Sequence, residues 1–263
     1  IKDFGSVTYT VKATNPNYED AEDEGTLAVS KRVVTLTSEG GSKPYDGTAL
    51  TKPDVAVDTK GDSFVKDEVT EIKATGSVTT VAEGEVTNTI AVTEGEGYNK
   101  DNYTVNKIEG KLSISKSKMT LSAASYDAAY DGKEHFGSGT PSVTVNTTLQ
   151  YSTDNGKNWS ATAPSITNVG TVNYMVKATN PNYEDITATA TLKVSKATMS
   201  VTAVDYSGKY DGQIHNGGAT PSVAAGTTIT YKFGEKDEWT TTAPSIKDFG
   251  SVTYTVKATN PNY

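Results

Sequence analysis

Tyr-Asp-Gly occurs three times in this chain, at Tyr45-Asp46-Gly47, Tyr130-Asp131-Gly132 and Tyr210-Asp211-Gly212. Each tyrosine stands fourteen residues after a lysine (Lys31, Lys116 or Lys196), and each lysine follows a serine and an apolar residue, Val29, Ile114 or Val194. A spacing held through three copies while the intervening sequence varies marks a tandem array of one structural unit. Length alone would suggest about two domains, but the repeat sets a different division. Residues 1–31 read as the C-terminal part of a repeat, 32–116 as a longer repeat, 117–196 as a second repeat, and 197–263 as a third that stops before its last strand.

The second and third repeats align without a gap at an offset of 80, so Tyr126 matches Tyr206, His135 matches His215, Trp159 matches Trp239 and Gly170 matches Gly250. The first repeat is five residues longer, yet Tyr103 precedes Lys116 by the same thirteen residues as Tyr183 precedes Lys196. Residues 1–18 are identical to residues 246–263. The sequence therefore reads as a window cut from a longer array.

Composition limits the chemistry. Twenty-four basic and 32 acidic residues give a net charge of -8, which disfavours nucleic acid and anionic membranes as partners. The absence of cysteine argues against thiol and zinc chemistry and leaves small modules without disulfide support. A unit of this size buries only about 60 to 70% of its unfolded surface. No apolar run has the length of a membrane span or a signal-peptide core, so no membrane insertion is expected in this segment.

Alternation supplies the secondary structure. Val172, Tyr174, Val176 and Ala178 fall on every second residue, as do Val7, Tyr9, Val11 and Ala13, the pattern of half-buried strands. Ala188, Ala190, Leu192 and Val194 form the inward face of a closing strand. Val34 and Leu36, Met119 and Leu121, and Met199 and Val201 do the same for opening strands. Tyr-Asp-Gly, Asp154-Asn155-Gly156 and Asn-Pro-Asn-Tyr supply turns, with glycine and asparagine providing positive φ. Ser63–Lys73 carries Phe64, Val65, Val69 and Ile72 at partly helical spacing and is a candidate short helix. The rest reads as an all-β chain of tandem antiparallel sandwich modules. Repeat junctions leave no room for a flexible linker. Each module should be about 30 Å long from its strand length, and the modules should stand end to end as an extended rod.

The Tyr-Asp-Gly triplet, the Asn-Pro-Asn-Tyr turn and the closing Leu-x-Val-Ser-Lys resemble the tandem all-β repeats, YDG and MBG-type, of large surface adhesins of Firmicutes-like bacteria. The likeness covers essentially the whole chain. It implies immunoglobulin-like modules, with a β-grasp-like module as the alternative, in a secreted, wall-attached protein whose repeats form a stalk, filament or adhesive shaft. It implies no catalytic residue and no cofactor.

Several stretches combine a functional and a structural reading. Ser152-Thr153-Asp154-Asn155-Gly156-Lys157-Asn158-Trp159 resembles an Asp-box, a structural hairpin in sialidase-like propellers. The matching third-repeat stretch, Lys232–Trp239, keeps only the tryptophan. Trp159 and Trp239 are candidate glycan-facing platforms, against a default of one central core tryptophan per module. His135 and His215 have no evident companion at metal or nucleophile spacing. The run Glu19, Asp20, Glu22, Asp23, Glu24 lacks the order of a calcium loop and reads as a solvated edge that discourages strand pairing. An isopeptide bond between Lys and Asn, supported by an acid, is the cross-link open to a stalk without cysteine.

The expectation is therefore a non-catalytic structural segment with no metal and no cofactor. Its partners are further copies of the repeat in the same chain or filament, and host glycan or protein under the alternative reading. The three Tyr-Asp-Gly triplets read as register-setting turns. The strand Thr26–Lys31 could complete the third repeat of another chain, although covalent continuity is the first expectation.

Overall fold

The computed structural model describes residues 1–233 and 238–263. The chain is all-β, built from many short, mostly antiparallel sheets, and no α-helix occurs among the described residues. It folds as two compact units, residues 1–118 with 180–184, and residues 119–179 with 185–263.

The first unit opens with a hairpin in which Gly5–Asn15 pairs antiparallel with Tyr18–Val29, Val7 opposite Leu27 and Lys12 opposite Glu22. Val7, Tyr9 and Val11 alternate as the sequence predicts, but all three are exposed, since no second layer covers this hairpin among the described residues. In the first repeat, Arg32–Ser38 is flanked by Tyr103–Ile108 in parallel and Val55–Val57 in antiparallel. Alternation buries Val34 and Leu36 against Ile90 and Tyr103, with Phe64 and Tyr98 packed alongside. A second cluster gathers Val78, Leu112 and Ile114.

Asn88 lies fully buried within this repeat. Its Oδ1 accepts from Gly76 N–H at 3.0 Å, and its Nδ2 donates to the Glu39 and Lys52 carbonyls at 3.0 and 2.8 Å. Both amide protons and the carbonyl oxygen thus have a partner, as a buried polar side chain requires.

The candidate helix at Ser63–Lys73 does not form. Residues 66–68 make a turn and Val69–Ala74 is a strand paired antiparallel with Ile90–Glu94. Its β-branched residues Val69, Thr70 and Ile72 favour the pleated conformation, and the neighbouring strand satisfies the backbone.

In the second unit a four-stranded sheet runs Tyr126–Ala129, Tyr183–Ser195, Gly170–Asn180, Thr148–Ser152. Tyr126–Ala129 lies parallel to Leu192–Ser195. The sequence reading anticipated only antiparallel pairing, because side-chain alternation carries no information on strand direction. The core is Ile166, Tyr174, Val176, Leu192 and Val194. Tyr174 donates its hydroxyl proton to the Ala124 carbonyl at 2.6 Å and accepts the Ser138 N–H at 3.0 Å. Close backbone approach is part of this packing, since a Cβ on Gly137 would sit 2.8 Å from the Tyr174 ring.

The third repeat follows the second in register. Thr148 opposite Thr179 becomes Thr228 opposite Thr259, and Leu121 opposite Pro141 becomes Val201 opposite Pro221. Its strand Tyr254–Thr259 pairs with Thr228–Phe233 alone. The position that Tyr183–Ser195 fills in the second repeat has no counterpart among the described residues of the third.

Candidate functional site

The three Tyr-Asp-Gly turns share one geometry. Gly47, Gly132 and Gly212 have φ of 81°, 79° and 76°, values glycine adopts without steric cost. Asp46, Asp131 and Asp211 each accept the backbone N–H two residues on, from Thr48, Lys133 and Gln213, at 2.9 Å. This closes an Asx turn. Tyr45 and Tyr130 donate their amides to the carbonyls of Ser115 and Ser195 at 2.9 Å, fastening each turn to the closing strand of its own repeat. Lys43 Nζ lies 2.8 Å from Asp46 Oδ1, and this hydrogen bond, with those from Thr48, holds the Asp46 carboxyl well below the usual carboxylate range.

His135 and His215 do have companions, which the sequence reading missed. His135 Nε2 stands 2.9 Å from the Tyr126 hydroxyl and 3.0 Å from Asp131 Oδ1, with the Tyr126 and His135 rings stacked at 3.8 Å. Tyr206, Asp211 and His215 repeat the cluster at 3.0 and 3.1 Å. The Lys133 N–H, and after it His135, lower the Asp131 carboxyl from its ordinary value. Burial, and then the Asp131 charge, raise the Tyr126 phenol. A hydrolytic relay needs the acid on one ring nitrogen and the nucleophile on the other. Here both oxygens face the same nitrogen, so the ring braces the turn and has no relay path. The signal available in sequence was the shared nine-residue step from Tyr126 to His135 and from Tyr206 to His215.

The Asp-box-like turn is closed by its own side chains. Asp154 Oδ1 accepts the Ser152 hydroxyl at 2.7 Å and the Asn158 amide at 2.9 Å, and Asp154 Oδ2 accepts Asn158 Nδ2 at 2.6 Å. The Asn158 N–H, followed by Ser152 and the Asn158 side chain, lowers the Asp154 carboxyl to about 2. Asn155 and Gly156 take φ of 62° and 82°. Within the matching third-repeat stretch, residues 234–237 lie outside the described residues.

The tryptophans are not central core residues. Trp159 is half-buried and Trp239 is 42% exposed. Lys177 Nζ stands 4.5 Å above the Trp159 ring and Lys257 Nζ 5.7 Å above Trp239, within cation–π range. Tyr174 takes the central place because its hydroxyl reaches two backbone groups that would otherwise be buried unpaired.

A further recurring feature joins neighbouring repeats. Asn102, Asn182 and Asn262 are spaced by 80 residues. Their Oδ1 atoms accept the amides of Phe4 at 2.7 Å, Val81 at 3.1 Å and Val169 at 3.0 Å, each a residue of the preceding repeat. Asn102 Nδ2 also donates to Asp3 Oδ1 at 2.9 Å, and Asn262 Nδ2 to Asn168 Oδ1 at 3.0 Å. Next to two of these clasps the Tyr-Asp-Gly tyrosines meet the Asn-Pro-Asn-Tyr tyrosines edge-on. Tyr45 meets Tyr183, and Tyr130 meets Tyr263, at the same 5.5 Å and 78°. Lys196 Nζ donates to the Asn260 and Tyr263 carbonyls at 2.9 and 2.7 Å.

In the acidic run, Lys12 bridges Asp20 and Glu22 at 3.0 and 3.2 Å, half exposed. Among the described residues no helix is long and apolar enough to cross a membrane. No family model matches the sequence, and no curated protein matches it.

Proposed function

We propose that this chain is a non-catalytic structural segment, a stalk or filament shaft of immunoglobulin-like modules in a bacterial surface protein of the YDG and MBG-type repeat class. The observation that carries this reading is the Asn clasp, made by Asn102, Asn182 and Asn262 to a backbone amide of the preceding repeat. A side chain spent on the same inter-repeat bond at three successive junctions suits a structure selected for how its modules join. The chain's all-β character without a described α-helix favours a sandwich over a β-grasp unit, whose sheet packs on a helix. In this reading the shaft is extracellular and attached to the wall.

Small-angle scattering tests it. A shaft of three modules, each about 30 Å long from its strand length, gives an elongated particle, and Asn262→Ala with Tyr263→Ala broadens its distance distribution. A compact globule would overturn the reading.

A glycan-binding array is the second reading, favoured by the exposure of Trp239. Against it, each tryptophan already carries a lysine ammonium on its side of the ring. Glycan binding lost on Trp239→Ala in a folded chain would support this alternative.

A further inference from the structure

The turn aspartate meets a different kind of group in the first and second repeats. In the first the counter-charge is built in, with Lys43 Nζ 2.8 Å from Asp46 Oδ1. Lys43 lies beside Ile114 on the closing strand, and its counterpart in the second repeat, beside Val194, is Ala128. Asp131 therefore has no ammonium in that place. It faces His135 Nε2 at 3.0 Å, and Tyr126 Oη stands 2.9 Å from the same nitrogen. We propose that Tyr126, Asp131 and His135 form a binding site for a divalent transition-metal ion of tetragonal preference, copper(II), which takes the place of the lysine ammonium.

An imidazole, a carboxylate and a phenol are the nitrogen and oxygen ligands that such ions accept, and their spacing selects a geometry. With metal bonds of about 2.0–2.2 Å, ligand atoms at right angles stand about 3 Å apart and ligands at tetrahedral angles about 3.4 Å apart. The two oxygens stand at 2.9 and 3.0 Å from Nε2, the right-angle spacing. That arrangement suits copper(II) better than zinc. Stacking of the Tyr126 and His135 rings at 3.8 Å and 18° holds phenol oxygen and ring nitrogen together. Asp131 keeps the Lys133 N–H on Oδ1, and its side chain is 41% exposed, which gives an ion access from water. On binding, His135 carries its proton on Nδ1 and the phenol proton passes to water.

Tyr126 belongs to the strand before the turn and His135 to the strand after it, so the ion ties the two flanks of Tyr-Asp-Gly together. The pattern across repeats fits this exchange of one cation for another. The first repeat has the lysine and no histidine. The chain's other histidine, His215, repeats the trio with Tyr206 and Asp211 at 3.0 and 3.1 Å, and there Gly208 stands in the lysine's place. The inference stands whether or not the repeats serve as a shaft.

Calorimetric titration of the full chain with copper(II) chloride tests it, with His215→Gln isolating the second repeat. The H215Q chain should take up one equivalent above the background of the H135Q/H215Q chain. The bound ion should give an axial electron paramagnetic resonance signal and a phenolate-to-copper charge-transfer band. Tyr126→Phe keeps the stacked ring, and should remove the band and weaken binding at least about tenfold. Asp131→Asn keeps an acceptor for the Lys133 N–H and should weaken binding to a similar degree. Ala128→Lys touches none of the three ligands, restores the ammonium, and should compete with the ion. No uptake above the double variant would overturn the proposal. Uptake that Tyr126→Phe and Asp131→Asn both leave unchanged would overturn it too, because a lone imidazole would then hold the ion.

Discussion

Asn262 reaches back 93 residues to accept the amide of Val169 at 3.0 Å, while its Nδ2 donates to the neighbouring Asn168 at 3.0 Å. One amide side chain thus satisfies a backbone donor and a side-chain acceptor of the previous repeat.

Asn262→Ala removes both bonds. A single intramolecular hydrogen bond contributes on the order of 1 kcal/mol, so hydrogen exchange at the Val169 amide should speed up about fivefold. Exchange at Val176, in the middle of a core strand, should not change. Equal protection at Val169 in the variant would show that the clasp is incidental.

Gly132→Val forces a β-branched residue into positive φ, where the left-handed conformation costs an L-residue roughly 1–2 kcal/mol and a branched one more. Urea unfolding should show the second unit destabilised, with the first unit's transition unmoved. Gly132→Asn should be much milder. Loss spread evenly over both units would contradict a local role for the turn.

Tyr174→Phe leaves the Ala124 carbonyl and the Ser138 amide without their partner inside the core. A cost of about 1–3 kcal/mol follows from an unsatisfied buried group. Tyr9→Phe, by contrast, changes a half-exposed ring on the uncovered hairpin and should leave the melting temperature alone. Similar shifts for the two variants would refute this account of the core.

Acid should loosen the turn at Asp154. Its folded carboxyl titrates at about 2 against an ordinary value of 3.8. The sign follows from linkage: stabilisation is complete above the unfolded value and is lost as pH falls from about 4 through about 2. Near-ultraviolet signals of the adjacent Trp159 should change across that window, and Asp154→Asn should flatten the change. A transition of unaltered shape in the variant would move the acid sensitivity elsewhere.

Alternation made the core strands legible: Val34, Leu36, Tyr174, Val176, Leu192 and Val194 are all buried where a period of two places them. Glycine in Tyr-Asp-Gly marked the turns for the same local reason. What sequence did not show was set by partners distant in the chain. The parallel pairing of Tyr126 with Leu192 spans more than sixty residues, and no local pattern records strand direction. Trp159 was assigned to the core by size, but a ring that can rest under Lys177 at the surface is displaced by a tyrosine whose hydroxyl answers backbone groups. The histidine cluster escaped because its members are weak signals singly and are recognisable only as a copied trio.

The duplicated segment carries a final consequence. Asn17 donates its amide to Asn15 at 3.0 Å, and Asn262 does the same to Asn260 at 3.0 Å, so the turn is encoded locally. Tyr9 nevertheless faces water, while its duplicate Tyr254 donates its hydroxyl to the Val204 carbonyl. The molecule therefore contains its own reference compound. Paired resonances from residues 1–18 and 246–263 differ by environment alone, so their chemical-shift differences measure, residue by residue, what tertiary surroundings add to an identical peptide.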